Sequence, residues 1–198
     1  MPSPVDIANL ALSRLGQTRI VSFDQDDSRA RVMKDVYPIA KDTLLRLHPW
    51  NFAQKRVALS RLTEAPAFGW SYQYQLPNDF LRLTRTQLLS TDFRVEGDKI
   101  LANTSEMKII YTHRLEDSEK FDMLFVDTLA YMIAADTAME ITASRELLQQ
   151  MKVLYENSLT KAQFLDSRES ADLQHEPSHF LEARLADVPF RAISDSSL

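Results

Sequence analysis

Two of the chain's four histidines, His175 and His179, stand in the run His-Glu-Pro-Ser-His, which spells the zinc-protease motif H-E-x-x-H. In that motif both imidazoles bind the metal from one face of a helix, and the glutamate beside them acts as the base. Pro177 falls between the histidines. A helix that begins at Pro177 leaves His175 outside it. A helix that runs through carries a proline in its interior, at a cost of about 3 kcal/mol. The surrounding segment is also too poor in apolar residues to wall off a metal. It predicts no stoichiometric zinc.

Other chemistry-bearing residues read the same way. Asp24-Gln25-Asp26-Asp27 gathers carboxylates, but a calcium loop needs more oxygen ligands at alternating positions and a glycine for its turn. The run reads as a helix cap. Glu64 or Glu96 with Asp79 would make a glycosidase pair if folding brought them together, and the sequence sets no separation. There is no G-x-S-x-G, and His48 and His113 have no identifiable nucleophile partner. Three scattered glycines, Gly16, Gly69 and Gly97, cannot build a phosphate-cradling loop. With no cysteine there is no disulfide framework and no thiolate chemistry. The expectation is a protein with no catalytic, cofactor-binding or metal residues, and not an enzyme.

The elements that would have to position any site follow from composition and period. The chain has 198 residues, 44% hydrophobic and 26% charged, as a soluble globular domain does. No apolar run approaches the roughly 18 residues of a membrane span, and the first ten residues lack a signal-peptide pattern. Twenty-three basic against 28 acidic residues leave a net charge of −5, a poor match for gripping nucleic acid. A local basic cluster, Lys55, Arg56, Arg61, Arg82 and Arg85, reads as a solvated sheet face, with a subunit, tail or DNA contact as the alternative.

Ser3, Pro4 and Asp6 open a first helix, about residues 4–15, ended by Gly16. A second, about 27–47, starts at Asp26, Asp27 or Ser28 and holds Val32, Val36, Ile39, Ala40, Leu44 and Leu47 at helical spacing. Pro38 inside it predicts a kink or short break. The period then changes. Residues 54–62, 70–76, 80–86, 93–102 and 107–114 read as strands, with a hairpin turning at Gly97–Asp98. In the second of these, Trp70, Tyr72, Tyr74 and Leu76 alternate with Ser71, Gln73 and Gln75, giving one aromatic and one wet face. Helix returns over about 118–142, capped by Asp117 or Ser118, with the widest apolar surface. A last helix, about 144–169, is capped by Ser144 and lined by Leu147, Met151, Leu154, Tyr155, Leu159, Ala162 and Phe164. Met123, Met132, Met139 and Met151 read as core filling or adaptable subunit contacts. From residue 171 periodicity is lost.

This pattern predicts a mainly α fold with a β insertion (α+β). Residues 1–170 form one domain. A four-helix bundle carries it, with a small antiparallel sheet at about 53–114 between the second and third helices. Residues 171–198 form an extended C-terminal tail. Pro49 disfavours helical geometry at His48, so the second helix ends there. Trp50 and Phe52 then fall where bundle meets sheet and plug the seam, and Asn51 holds the turn by bonding its own backbone. Pro49, Trp50, Asn51 and Phe52 are the expected structural hinge.

These residues also carry a resemblance. Asn9-x-Ala11-Leu12-x-x-Leu15-Gly16, then Leu44-Leu45-Arg46-x-His48-Pro49-Trp50-Asn51-Phe52-Ala53, then Phe68-Gly69-Trp70-x-Tyr72-x-Tyr74-Gln75-Leu76-Pro77-x-Asp79-x-Leu81-Arg82, and finally Phe180-Leu181-Glu182-Ala183-Arg184 together resemble tail tubular protein A, the head-to-tail adaptor family of short-tailed bacteriophages. The resemblance covers most of the chain and is densest over residues 6–82. It implies a structural protein of the virion neck, assembled in the host cytoplasm. Typically twelve copies ring the underside of the portal protein, extend the DNA channel and give the tail nozzle protein a platform. DNA would pass without specific binding, and the net charge of −5 predicts an acidic or neutral lumen, since a dense basic lining would hold it. Phe180, Leu181, Leu185, Val188, Phe190 and Ile193 are the candidate portal contacts. No cofactor and no membrane is implied. A wall-degrading entry enzyme and a helical DNA-binding module are the rival readings.

Overall fold

The computed structural model describes residues 2–89 and 92–171. It is a mixed α+β fold. Helices α1 (Pro4–Arg14) and α2 (Ser28–Leu47) precede six strands, and α3 (Met123–Thr142) and α4 (Arg145–Ala171) follow them. The strands are β1 (Gln54–Leu59), β2 (Tyr72–Gln75), β3 (Phe80–Thr86), β4 (Phe93–Glu96), β5 (Lys99–Ala102) and β6 (Met107–His113). No helix among the described residues is long and apolar enough to cross a membrane.

The helix starts follow local chemistry. Ser3 and Asp6 form a reciprocal capping box: the Asp6 amide donates to Ser3 Oγ at 3.2 Å, and the Ser3 amide donates to Asp6 Oδ2 at 2.9 Å. Asp27 caps α2 by accepting from the Arg29 amide at 2.8 Å. The hydrogen bond from the Arg29 side chain, aided by amide bonds and charge, outweighs burial and holds the Asp27 carboxyl down at about 2. The third helix departs from expectation. Asp117 caps a separate 3₁₀ turn, Ser118–Lys120, and Asp122 caps α3 through the Leu124 and Phe125 amides. The break drops the Phe121 ring into the core, 5.0 Å from that of Phe125. Ser144 Oγ accepts from the Leu147 amide at the start of α4.

The helices do not close as two pairs. Instead α3 is the common partner of α1, α2 and α4, and it buries side chains on nearly every face, from Phe125 and Leu129 to Ile133 and Ala138. Phe164, expected on the buried face of α4, is 58% exposed. It lies two residues, about 200°, around the helix from buried Ala162. Of the kink or short break expected at Pro38, the break is absent, and α2 runs through it. Met33, Tyr37, Ala40 and Leu44 hold both halves on the core, while Pro38 faces solvent.

In place of one sheet there are two, each of three antiparallel strands, ordered β1-β6-β3 and β2-β5-β4. Both edges of β5 and both edges of β6 are taken, so the triplets cannot merge through their central strands. They share one apolar cluster that includes Tyr74 and Ile100 from the second sheet and Met107, Ile109 and Tyr111 from the first. A larger cluster joins the helices. The wet face expected on β2 is partly covered: Gln73 is buried and donates to the Glu64 carbonyl at 2.8 Å.

Two predictions follow from α2. Pro38→Ala restores an amide to a solvent-facing turn. It is expected to stabilise the protein by about 1–2 kcal/mol after the loss of proline's unfolded-state restriction. Calorimetry should show Tm rising by several degrees, and a lower Tm would contradict the account. Asp27→Asn keeps the cap and removes the charge. Because the folded carboxyl is depressed, its stabilisation is present above the unfolded value of roughly 4 and fades as pH falls toward about 2. Denaturant titrations of the two proteins should differ at neutral pH and converge in acid.

Candidate functional site

The stretch His48–Ala53 links the helices to the first sheet. His48 is extended, as the proline after it requires. The Trp50 amide donates to the His48 carbonyl at 2.9 Å, and a 3₁₀ turn, Asn51–Ala53, leads into β1. Trp50 is 1% exposed. Its indole meets the Phe125 ring edge-on at 5.2 Å, and Phe52 meets the same ring at 5.1 Å. The indole N–H donates to the Leu44 carbonyl at 2.9 Å. Arg82, on β3, donates to the Arg46 and Leu47 carbonyls at 3.2 and 3.0 Å. Three carbonyls of the last turn of α2, which have no partners within the helix, are therefore met by side chains from the adjoining connector and from distant β3. Arg46 returns the contact by donating to the Leu81 carbonyl.

Asp166 of α4 closes the same joint from outside. Its carboxylate accepts from the Asn51 amide at 3.1 Å and lies 2.9 Å from His48 Nε2, and its carbonyl accepts from Asn51 Nδ2 at 2.8 Å. The side chain of Asn51 thus reaches across to another helix. Pro49, Trp50, Asn51 and Phe52 come together as a packed and bonded corner. Asp166 lies more than a hundred residues away in sequence, and no local pattern singles it out.

The other sequence candidates are dispersed. Asp24 pairs with Lys34 at 2.7 Å and Asp26 with Arg31 at 3.2 Å. Asp79 accepts from Lys55 at 2.6 Å and from the Tyr111 hydroxyl at 2.9 Å. Burial raises the Asp79 carboxyl, but these two donors pull it below its ordinary value, while burial and the Asp79 hydrogen bond push the Tyr111 phenol up to about 12. Glu96 faces Arg94 at 3.5 Å, and no described contact joins Glu64, Glu96 and Asp79. Buried His113 places Nδ1 2.8 Å from the Ala53 carbonyl. Among the described residues no group of three His, Asp or Glu is placed to hold a metal. His175, His179 and the tail contacts Phe180, Leu181, Leu185, Val188, Phe190 and Ile193 lie outside the described residues.

The basic cluster divides. Lys55 is spent on Asp79 and Arg82 on α2, and the Arg61 guanidinium lies 5.1 Å from the centre of the Tyr72 ring. Arg56 and Arg85 flank Ile110 from opposite sides in register, so both project from the sheet face opposite Tyr111. Beside the joint runs a feature the sequence did not announce, a groove of about 410 Å³ between the start of α3 and the end of α4. Phe52, Phe121, Leu124 and Ala162 line it, with Met123 and Leu165 exposed at its rims.

No protein-family model matches this chain, and a search of curated proteins finds no match. What the coordinates define is a class: a helical layer and a double-sheet layer joined at an aromatic corner.

The corner makes a direct prediction. Asp166→Ala removes the largely buried partner of the His48 ring and an acceptor of the exposed Asn51 amide, and is expected to cost about 1–2 kcal/mol, read as a fall in Tm. Asp166→Asn keeps an acceptor and should lose less. Wild-type melting of the alanine protein would show that the clamp holds nothing.

Proposed function

We propose that the protein is a structural head-to-tail adaptor of a phage virion, not an enzyme. Copies form a ring, twelve by the resemblance, beneath the portal protein. The ring lengthens the DNA channel and carries the tail nozzle protein, and DNA slides past without specific binding. The observation that carries this reading is the corner itself. The two densest stretches of the resemblance, Leu44–Ala53 and Phe68–Arg82, meet there, since Arg82 and Arg46 exchange bonds across them. Several residues that resemble the family in sequence, Arg46, Trp50, Phe52, Leu81 and Arg82, are thus among those that interlock this fold, which supports extending the likeness to architecture.

The outer surface suits assembly. Ile39, Phe68, Met123, Val153 and Phe164 are each more than half exposed. Spread over four regions, they offer several modest contacts rather than one sticky patch. The tail residues Phe180, Leu181, Leu185, Val188, Phe190 and Ile193 are proposed to grip the portal, since an apolar-anchored segment too sparse to build its own core can order on a partner. The site of action is the virion neck, after assembly in the host cytoplasm.

The test is electron microscopy of the protein mixed with portal rings of the same phage, expected to show a second ring beneath the first. Deleting residues 171–198 should abolish docking. Absence of any ring, or docking of the truncated chain at wild-type affinity, would overturn the corresponding part of the proposal.

A further inference from the structure

The groove beside the corner is a slot open to solvent, with an apolar floor and with Asn51, Lys120, Asp122, Asp166 and Glu169 also lining it. Its floor is Phe121 and Ala162, each nearly fully buried, with half-buried Phe52 and Leu124. Its rims leave Met123 at 62% and Leu165 at 37% exposure. The apolar part gains free energy from any chain that removes those rims from water, on the order of 1.5–3 kcal/mol for each large side chain fully covered.

The position of the slot on the chain points to its occupant. Its α4 wall runs from Ala162 through Leu165 and Asp166 to Glu169, and α4 ends two residues later at Ala171. From Ala162 to Ala171 is about 14 Å along the helix axis. Nine extended residues onward from Ala171 span up to about 30 Å, so Phe180 and Leu181 can reach any point of the slot. Pro177 opposes continuation of α4 through this stretch, because it lacks an amide and clashes one turn back. The charges also match. Lys120, which also faces Asp117 at 3.3 Å, lies on one side of the slot and Glu169 on the other, the lining carboxylates Asp122 and Asp166 being engaged by the α3 cap and the corner, while Glu182 and Arg184 follow the apolar pair.

We infer that Phe180 and Leu181 of the same chain seat in the slot between the α3 start and the α4 end, with Glu182 and Arg184 toward Lys120 and Glu169. The slot is an internal dock for the C-terminal segment in the free subunit. Any partner that binds that segment must first draw it out. This inference does not require the adaptor reading and is tested without a portal.

The chain has no cysteine, so engineered pairs report cleanly. The full-length protein carries Leu165→Cys with Leu181→Cys, or, as a control, Phe164→Cys with Leu181→Cys. Phe164 and Leu165 are adjacent, equally far from the tail, and both exposed, but Phe164 does not line the slot. Under a glutathione redox buffer, the slot pair is expected to close within one chain about tenfold faster than the control, as read by mass spectrometry and non-reducing gels. Adding Phe180→Asp should erase that advantage. A second pair, Met123→Cys with Leu181→Cys, probes the opposite rim and should also close quickly. Equal rates for slot and control pairs would overturn the proposal. So would disulfides that form only between chains, which would assign the slot to a neighbouring copy's tail.

Discussion

The Phe125 ring is the constraint on which the arrangement depends. Trp50, Phe52 and Phe121 place their rings 5.0–5.2 Å from it, in tilted or edge-on geometry. Such pairs contribute about 0.5–1.5 kcal/mol each beyond the area they bury. Their larger role is geometric. Trp50 and Phe52 come from the connector, Phe121 from the chain that returns from the sheets, and Phe125 from α3, the helix every other helix touches. One ring thus fixes where the β block leaves the helices and where it comes back. The sheets have their own apolar cluster, so without this corner the molecule would hold two cores with little to orient them.

Polar contacts repeat that logic at the periphery of the corner. Lys41 is 3% exposed, and its ammonium donates to the Leu115 carbonyl at 3.2 Å and to Glu116 at 2.5 Å. Arg114 reaches back to Asp42 at 2.7 Å. A buried lysine is a weak source of net stability because desolvation offsets much of the attraction. It does penalise alternatives: any docking that moves the 114–116 strand exit off α2 removes the Leu115 and Glu116 acceptors and leaves the ammonium to Asp42 at 3.5 Å. Arg14 acts similarly between α1 and α3, bonding Asp127 and lying 3.5 Å from the centre of the Tyr131 ring. The aromatic contacts supply attraction, and the buried charges select one orientation among those the attraction allows.

What could be read from the sequence was what neighbours in sequence decide. The Ser3–Asp6 box, the Asp27 cap and the turn at Gly97–Asp98 are local, and they appear in the coordinates, whereas of the α2 stripe Ala40 and Leu44 are buried but Ile39 and Leu47 are exposed. Misreadings arose where a distant contact chose between local options. Asp117 and Asp122 are both competent caps, and burial of Phe121 between them decides that the long helix starts at the second. Alternation could show strands but not how many sheets they make, because that depends on which strands flank β5 and β6. Phe164 was placed inward because stripe counting tolerates a residue at the edge of an apolar face. At the site, Trp50 and Phe52 were legible as large aromatics behind a proline. Asp166 and the groove were not, since both exist only after α4 lies along the connector.

The division between corner and surface bears on how such a chain would assemble under the adaptor reading. The corner consumes Trp50 and Phe52 and the guanidinium of Arg82, so these are not available to a partner. What remains outside among the described residues is a set of exposed apolar side chains spread along the fold, among them Ile39 and Leu47 on α2, Met123 and Met139 on α3, Val153, Phe164 and Leu165 on α4, and Val21, Phe68 and Leu89 in loops. Covering one of them gains on the order of 1.5–3 kcal/mol, while joining two free subunits costs roughly 4–15 kcal/mol in lost translation and rotation before any contact is counted. Two free copies would then gain little by meeting. A template that holds many copies side by side lowers that entropic cost for each neighbour contact, and weak interfaces become sufficient. A ring built this way forms where the template is and not elsewhere. That outcome requires subunit surfaces that stay individually weak, as the scattered apolar residues of this chain do.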